Sequence, residues 1–318
     1  MPSVSIIMNI RNGAAFLREA LDSVMAQTFT DWELIAWDDC STDDSARIVA
    51  EYKDARVRYF LSPEETSLGK ARGNAIRRTT GEWLAFLDQD DLWTPTKLAT
   101  QMALAEADVG LIYGRAVLFY PSGHKRDYDQ AHEFTPLPEG DIFGELFRSA
   151  CFIAMSSAVL RRSAVEEVGG IAHWVELIPD YYLYTALAQR YRSRAVQEVV
   201  CWYRVHPGSI TRANPRKLYE EPLMLLEQWA DQIDPQIVAY RRMTYSTALA
   251  VEEIKSFRSA SQGFRRLFSR GSVRWLVSRP FIHVLRAARR RVRHPLWKAS
   301  PAQTQGPALS PDVTQPLQ

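Results

Sequence analysis

Trp83-Leu84-Ala85-Phe86-Leu87 runs without a break into Asp88-Gln89-Asp90-Asp91. Five apolar residues with no polar alternation predict a strand buried on both faces, and such strands belong to parallel sheets covered by helices. The same arrangement stands earlier, where Leu34 to Trp37 ends in Asp38-Asp39. Around these runs, strand and helix patterns alternate. A strand at Val4 to Met8 is followed by a turn at Asn12-Gly13 and a helix spaced by Phe16, Leu17, Ala20, Leu21 and Val24. Ser41-Thr42-Asp43-Asp44 opens a helix, Val57, Tyr59 and Leu61 alternate as a strand, Lys70 to Arg78 is helical, and Pro95 starts a helix to about Ala107. Successive strand-helix units predict an α/β fold with a central, mostly parallel sheet. Ligands of such sheets bind beyond the carboxyl ends of the strands, so both acidic clusters face one crevice.

That many like charges in one place are costly unless a cation is shared among them. Mg or Mn, with hard oxygen ligands, would also bridge the diphosphate of a nucleotide. The plainer alternative is that the acids punctuate turns and cap the helices that follow.

Beyond residue 110 the pattern loosens. Strands are expected at Leu111 to Tyr113, Val117 to Tyr120, Phe152 to Leu160 and Ala195 to Tyr203, and helices at Ser163 to Val168 and Asp180 to Tyr191. Residues 121–140 read as a loop able to act as a lid.

Several segments, in order, resemble the donor-binding half of family 2 glycosyltransferases with the GT-A fold. They are Val4-Ser5-Ile6-Ile7, Gln27-Thr28-Phe29, Asp38-Asp39-Cys40-Ser41-Thr42-Asp43, Gly69-Lys70-Ala71-Arg72-Gly73-Asn74 and Leu87 through Trp93. The likeness is dense over residues 3–110 and thinner to about residue 211. It implies an inverting, metal-dependent transferase that moves a hexosyl or related sugar from a nucleotide-diphosphate-sugar donor to a glycan or lipid-linked acceptor, in bacterial surface polysaccharide synthesis. By that resemblance Asp39 reads the base, Arg72 and Asn74 hold base or phosphate, Asp90 contacts ribose or metal, Asp91 binds the metal, and Asp88 completes an Asp-x-Asp motif. Asn9 and Arg11 lie in the same donor-binding region. Many relatives place Tyr where this chain has Arg11, whose guanidinium plane can stack on a base instead.

An acceptor hydroxyl needs a carboxylate to take its proton. Asp180 is the candidate base: it follows Pro179 and opens a helix, whose dipole favours the ionised form. The resemblance puts a Glu-Asp pair here after a Gly-Gly turn, matched by Gly169-Gly170; Pro179 replaces the Glu, and Glu176 is a candidate displaced partner. In Trp202-Tyr203-Arg204-Val205-His206-Pro207-Gly208-Ser209-Ile210-Thr211, which resembles the family's closing motif, His206 is a candidate metal or diphosphate ligand and Arg204 a candidate counter-charge to phosphate. A competing class is a non-catalytic nucleotide- or glycan-binding relative. A nucleotidyltransferase fits poorly, because Asn9 to Gly13 lacks a Gly-rich phosphate loop.

The chain has 318 residues, 46% of them hydrophobic, which excludes general disorder. Its three cysteines form no CxxC pair, so neither a disulfide framework nor a structural zinc site is encoded. No signal peptide or spanning run is expected; the longest candidate, Ala150 to Leu160, is far short of the ~20 residues a spanning helix needs. A cytoplasmic protein follows, with peripheral attachment at the inner face of the membrane as the expected variant. The formal charge of +2 hides an asymmetry: residues 254–318 carry thirteen Lys/Arg against one acid, a net of +12, and residues 1–253 carry 26 against 36, a net of −10. Within 264–293, Phe281, Val284, Leu285, Ala288 and Val292 form an apolar stripe flanked by Arg286, Arg289, Arg290 and Arg293. That pattern fits a helix lying on an anionic membrane surface, or a helix packed on the catalytic body. No nucleic-acid motif accompanies the charge. The expected organisation is a catalytic domain over 1–213 (donor half 1–110, acceptor half 111–213), a basic helical region over 214–298 and a disordered tail over 299–318.

Overall fold

A computed structural model describes residues 2–120, 125–127, 136–172, 174–208 and 214–255. The first half alternates β1 (Val4–Ile10), α1 (Leu17–Met25), β2 (Trp32–Asp38), α2 (Ser45–Glu51), β3 (Val57–Leu61), α3 (Leu68–Ile76) and β4 (Trp83–Phe86). There follow β5 (Leu92–Trp93), α4 (Lys97–Met102), β6 (Val109–Phe119), β7 (Lys125–Asp127), α5 (Phe143–Ser149), β8 (Val159–Arg161), α6 (Arg162–Glu167), α7 (Pro179–Ala188), β9 (Arg192–Arg204), α8 (Lys217–Trp229) and α9 (Pro235–Lys255).

The strands form one sheet in the order β3-β2-β1-β4-β8-β6-β9-β5, with β7 beside β6. β3, β2, β1 and β4 run parallel to one another, which brings the ends of β1, β2 and β4 to one edge. Beyond β4 the sheet is mixed: β8 runs antiparallel to β4 and β6, β5 antiparallel to β9, and β9 parallel to β6. The continuous apolar runs follow from burial on both faces. Ile7, Ile35, Trp37, Leu84 and Phe86 face the core beneath α3, α5 and α7. Their alternating neighbours Ile6, Met8, Leu34, Ala36 and Ala85 face the core under α1 and α4.

Some elements differ from expectation. Phe152 to Leu160 is a strand only from Val159, because residues 155–157 coil into a 3-10 turn in which the Ser157 amide donates to Ala154. The two short strands expected between 111 and 120 are one strand with register shifts around Gly114, where an added Cβ would sit 2.6 Å from Val200. The helix after Pro95 stops at Met102. Gly169 and Gly170 end α6 with φ of +89° and +77°, a conformation that favours glycine. From the segment expected as a separate helical region, α8 and α9 send Leu225, Leu226, Val238 and Tyr245 into the core that holds Tyr181 and Tyr184 of α7. The basic stretch 264–293, the tail 299–318, His132 and His173 lie outside the described residues.

Candidate active site

The acidic loop after β4 is fastened to its neighbours by side chains of very different exposure. Gln89 accepts the Arg11 amide at 2.9 Å and donates to the Arg11 carbonyl at 3.0 Å, joining the ends of β1 and β4. Its carboxamide lies against Gly13, where an added Cβ would come within 2.2 Å of the Gln89 oxygen.

Asp91 is buried at 1% exposure. Its carboxylate accepts the Ser156 hydroxyl at 2.6 Å and the Arg204 amide at 2.9 Å. Burial, then the charges of Asp90 and Asp88, push its carboxyl well above the usual carboxylate range. Through these two bonds Asp91 clamps the acidic loop to the 3-10 turn and to β9. Ser156 also accepts the Asp88 amide at 3.1 Å.

Asp90 and Asp88 are the more open carboxylates, with side chains 24% and 32% exposed. Asp90 lies 2.7 Å from His206 Nε2, and its carboxyl is raised by burial and by Asp88, against the opposing effect of His206. The Gly208 amide donates to His206 Nδ1 at 3.2 Å, which leaves Nε2 as the protonated nitrogen facing Asp90. The His206 ring rests on Phe16, with centroids 4.8 Å apart. Arg204, expected to offset phosphate charge, is engaged within the protein. Its guanidinium lies between Phe16 and Phe119, 4.6 Å from each ring, donates to the Asp90 carbonyl at 2.8 Å and pairs with Glu19 at 2.9 Å.

Arg72 projects from the buried face of α3 and donates to Asp88 at 2.7 Å. Burial alone would lower its pKa, but Asp88 and then Asp180 outweigh that and raise it. Asn74 is not brought to the same place. Two residues along a helix is more than half a turn, and its side chain accepts from Arg77 instead. Asp180 sits in the first turn of α7 and accepts the Tyr181 amide at 2.9 Å. Burial raises its carboxyl, opposed by Arg72. The helix dipole therefore does not dominate there. A carboxylate whose pKa is raised is a stronger base.

At the end of β2, Asp39 accepts the Thr66 amide at 3.0 Å and the Thr66 hydroxyl at 3.1 Å. Arg11 donates to the Asp39 carbonyl and pairs with Glu65. Asn9 Nδ2, at the end of β1, is buried and has no partner among the described residues. Sequence reasoning missed Gln89, Ser156 and Thr66. The Ser156-Ser157 pair interrupting an apolar run was the available signal for one of them.

Among the described residues no three His, Cys, Asp or Glu side chains converge as a ready metal set. The residues nevertheless fit a cation completed by substrate. Asp88 and Asp90 are both partly open, and Mg or Mn is commonly held by one or two carboxylates plus phosphate oxygens and water.

A family model described as Glycosyl transferase family 2 matches residues 5–169. The chain is 28% identical over 228 residues to the UDP-Glc:alpha-D-GlcNAc-diphosphoundecaprenol beta-1,3-glucosyltransferase WfaP of Escherichia coli, covering 71% of this chain and 86% of that protein. It is 27% identical to the putative glycosyltransferase EpsH of Bacillus subtilis, covering 85% of this chain and 81% of that one. Among solved structures it shares its fold with the mannosyltransferase PcManGT of Pyrobaculum calidifontis in complex with GDP-Man and Mn2+, at TM-score 0.60 and 20% identity over 93% of this chain and 81% of that one. TarS of S. aureus in complex with UDP-GlcNAc aligns at TM-score 0.58 and 15% identity, over 89% of this chain and 79% of that one.

Proposed function

This chain belongs to glycosyl transferase family 2, and we propose that it moves a sugar, with inversion, from a nucleotide-diphosphate donor to a hydroxyl of a growing or lipid-linked bacterial glycan. Asp180 takes the proton as the acceptor oxygen attacks the anomeric carbon, and the bond from that carbon to the diphosphate breaks in the same step. Asp88 and Asp90 would hold a divalent cation, with His206 at its side; when bound it supplies positive charge to the departing diphosphate. Arg72 keeps Asp88 in place and tempers the charge of Asp180. Asp39, Asn9 and Arg11 form the nucleoside end. Names of relatives that use UDP- or GDP-sugars and a diphosphoundecaprenol-linked acceptor support the substrate classes.

The observation that carries the proposal is the electrostatic contact among three charged groups, Asp88 from the loop after β4, Arg72 from α3 and Asp180 from α7. Thermal shift with a panel of nucleotide sugars, with and without Mn2+, tests it. A donor that raises the melting temperature only with the metal supports the reading, since a ligand of the native state stabilises it. No shift with any UDP-, GDP- or dTDP-sugar would contradict it.

A further inference from the structure

Glu221, on α8, stands apart from the acidic cluster yet reaches the loop that delivers Asp180. Its carboxylate accepts three consecutive backbone amides: Glu176 at 3.1 Å, Leu177 at 2.9 Å and Ile178 at 3.0 Å. Three converging N–H groups on one carboxylate form a charge-assisted clamp. The clamp lies immediately before Pro179, which lacks an N–H, and before Asp180. Ile178 offers no side-chain cap to α7, so Glu221 is what gathers the amides at this entry. The carboxylate is itself anchored. Leu225 and Leu226, one turn along α8, are buried in the core that contains Tyr181, Tyr184 and Leu187 of α7. Glu176, the partner suggested by sequence, points outward and pairs with Lys217 on α8.

We infer that Glu221 is a positioning residue for the candidate base: it fixes the 176–178 backbone so that the first turn of α7 presents Asp180 at the acceptor side. The inference rests on the assignment of Asp180 above. It also gives α8, which lies beyond the segment matched by the family model, a part in the chemistry. A base displaced by about 1 Å can lose on the order of 100-fold in rate while substrate binding elsewhere is untouched.

The test is a cycle on the full chain with Glu221→Ala, Glu221→Gln, Asp180→Asn and the double variant Glu221→Ala/Asp180→Asn. Steady-state transfer, Mn2+-dependent nucleotide affinity and melting temperature are measured for each. The expected result is a fall in kcat of about 10- to 100-fold for Glu221→Ala, a smaller fall for Glu221→Gln, which keeps one acceptor oxygen, and nucleotide affinity within twofold of the parent chain. In the Asp180→Asn background, Glu221→Ala should cost nothing further. Unchanged kcat in Glu221→Ala overturns the inference, as does a loss additive with Asp180→Asn or matched by lost nucleotide affinity. If Asp180→Asn alone keeps full turnover, the base assignment itself has failed and the inference falls with it, an outcome distinct from Glu221→Ala being silent beside an inactive Asp180→Asn.

Discussion

Arg72 and Asp88 form a 2.7 Å ion pair in which the arginine is 5% exposed and the aspartate 32%. Arg72 is thus engaged by Asp88, and its charge also bears on Asp180. Arg72→Met strands Asp88 and leaves Asp180 without its buried counter-charge. Breaking a fully buried pair costs about 3–5 kcal/mol; with Asp88 one-third open, a loss on the order of 2 kcal/mol is expected, together with a fall in turnover of at least about 100-fold. Denaturant unfolding and initial rates measure the two effects. A variant that loses nucleotide affinity alone would place Arg72 on the ligand instead.

Asp91 and Asp90 should separate cleanly. Asp91→Ala orphans the Ser156 hydroxyl and the Arg204 amide, at about 1–3 kcal/mol for each unsatisfied group, so its main effect is a lower melting temperature. Asp90→Ala should leave the melting temperature close to the parent and abolish the Mn2+ dependence of nucleotide binding. The reverse pattern would support the metal-binding role first expected of Asp91.

Lys97 offers a pH test independent of the site. It is fully buried beside Trp93 and bonded to Gln101 at 2.6 Å. Burial brings its pKa down to about 7, with Cys201 opposing. Because the folded-state value lies below that of the unfolded chain, the penalty is fully present below about pH 7. It is relieved as pH rises toward 10.5, the ordinary lysine value. The stability of the parent chain relative to Lys97→Met should therefore climb with pH across that window, by at most about 1.4 kcal/mol per pH unit. Urea unfolding at pH 6, 8 and 9.5 reads it; a difference independent of pH would show that Lys97 keeps its proton in the fold.

The basic stretch 264–293 yields a prediction from sequence alone. Liposomes containing anionic lipid should float the full chain and not a chain ending at residue 255, with salt weakening the association. Equal flotation of both would place membrane contact elsewhere or nowhere.

The parallel half of the fold was legible because apolar runs such as Val4 to Met8 and Trp83 to Leu87 have a single physical use, and the acids that end them mark the crevice. The roles within the cluster were not. Asp88, Asp90 and Asp91 look alike in sequence, and only Ser156, 65 residues beyond Asp91, and Arg204, 113 residues beyond it, turn Asp91 inward. Arg204 looked free until Phe16 and Phe119 closed over it. Glu221 carries no local pattern at all, since its three partners lie on a loop 43 to 45 residues away.

If Asp180 deprotonates the acceptor while the more open aspartates serve the donor, as proposed, the decisive measurement is sugar transfer to a lipid-diphosphate-linked primer by the parent chain and by Asp180→Asn, each with its donor shown to be bound. Transfer by the parent chain is expected, with a rate reduced by about 100- to 10,000-fold in the variant at unchanged donor affinity. Equal rates in the two chains, or donor binding without turnover on any primer in the parent chain, would overturn the assignment.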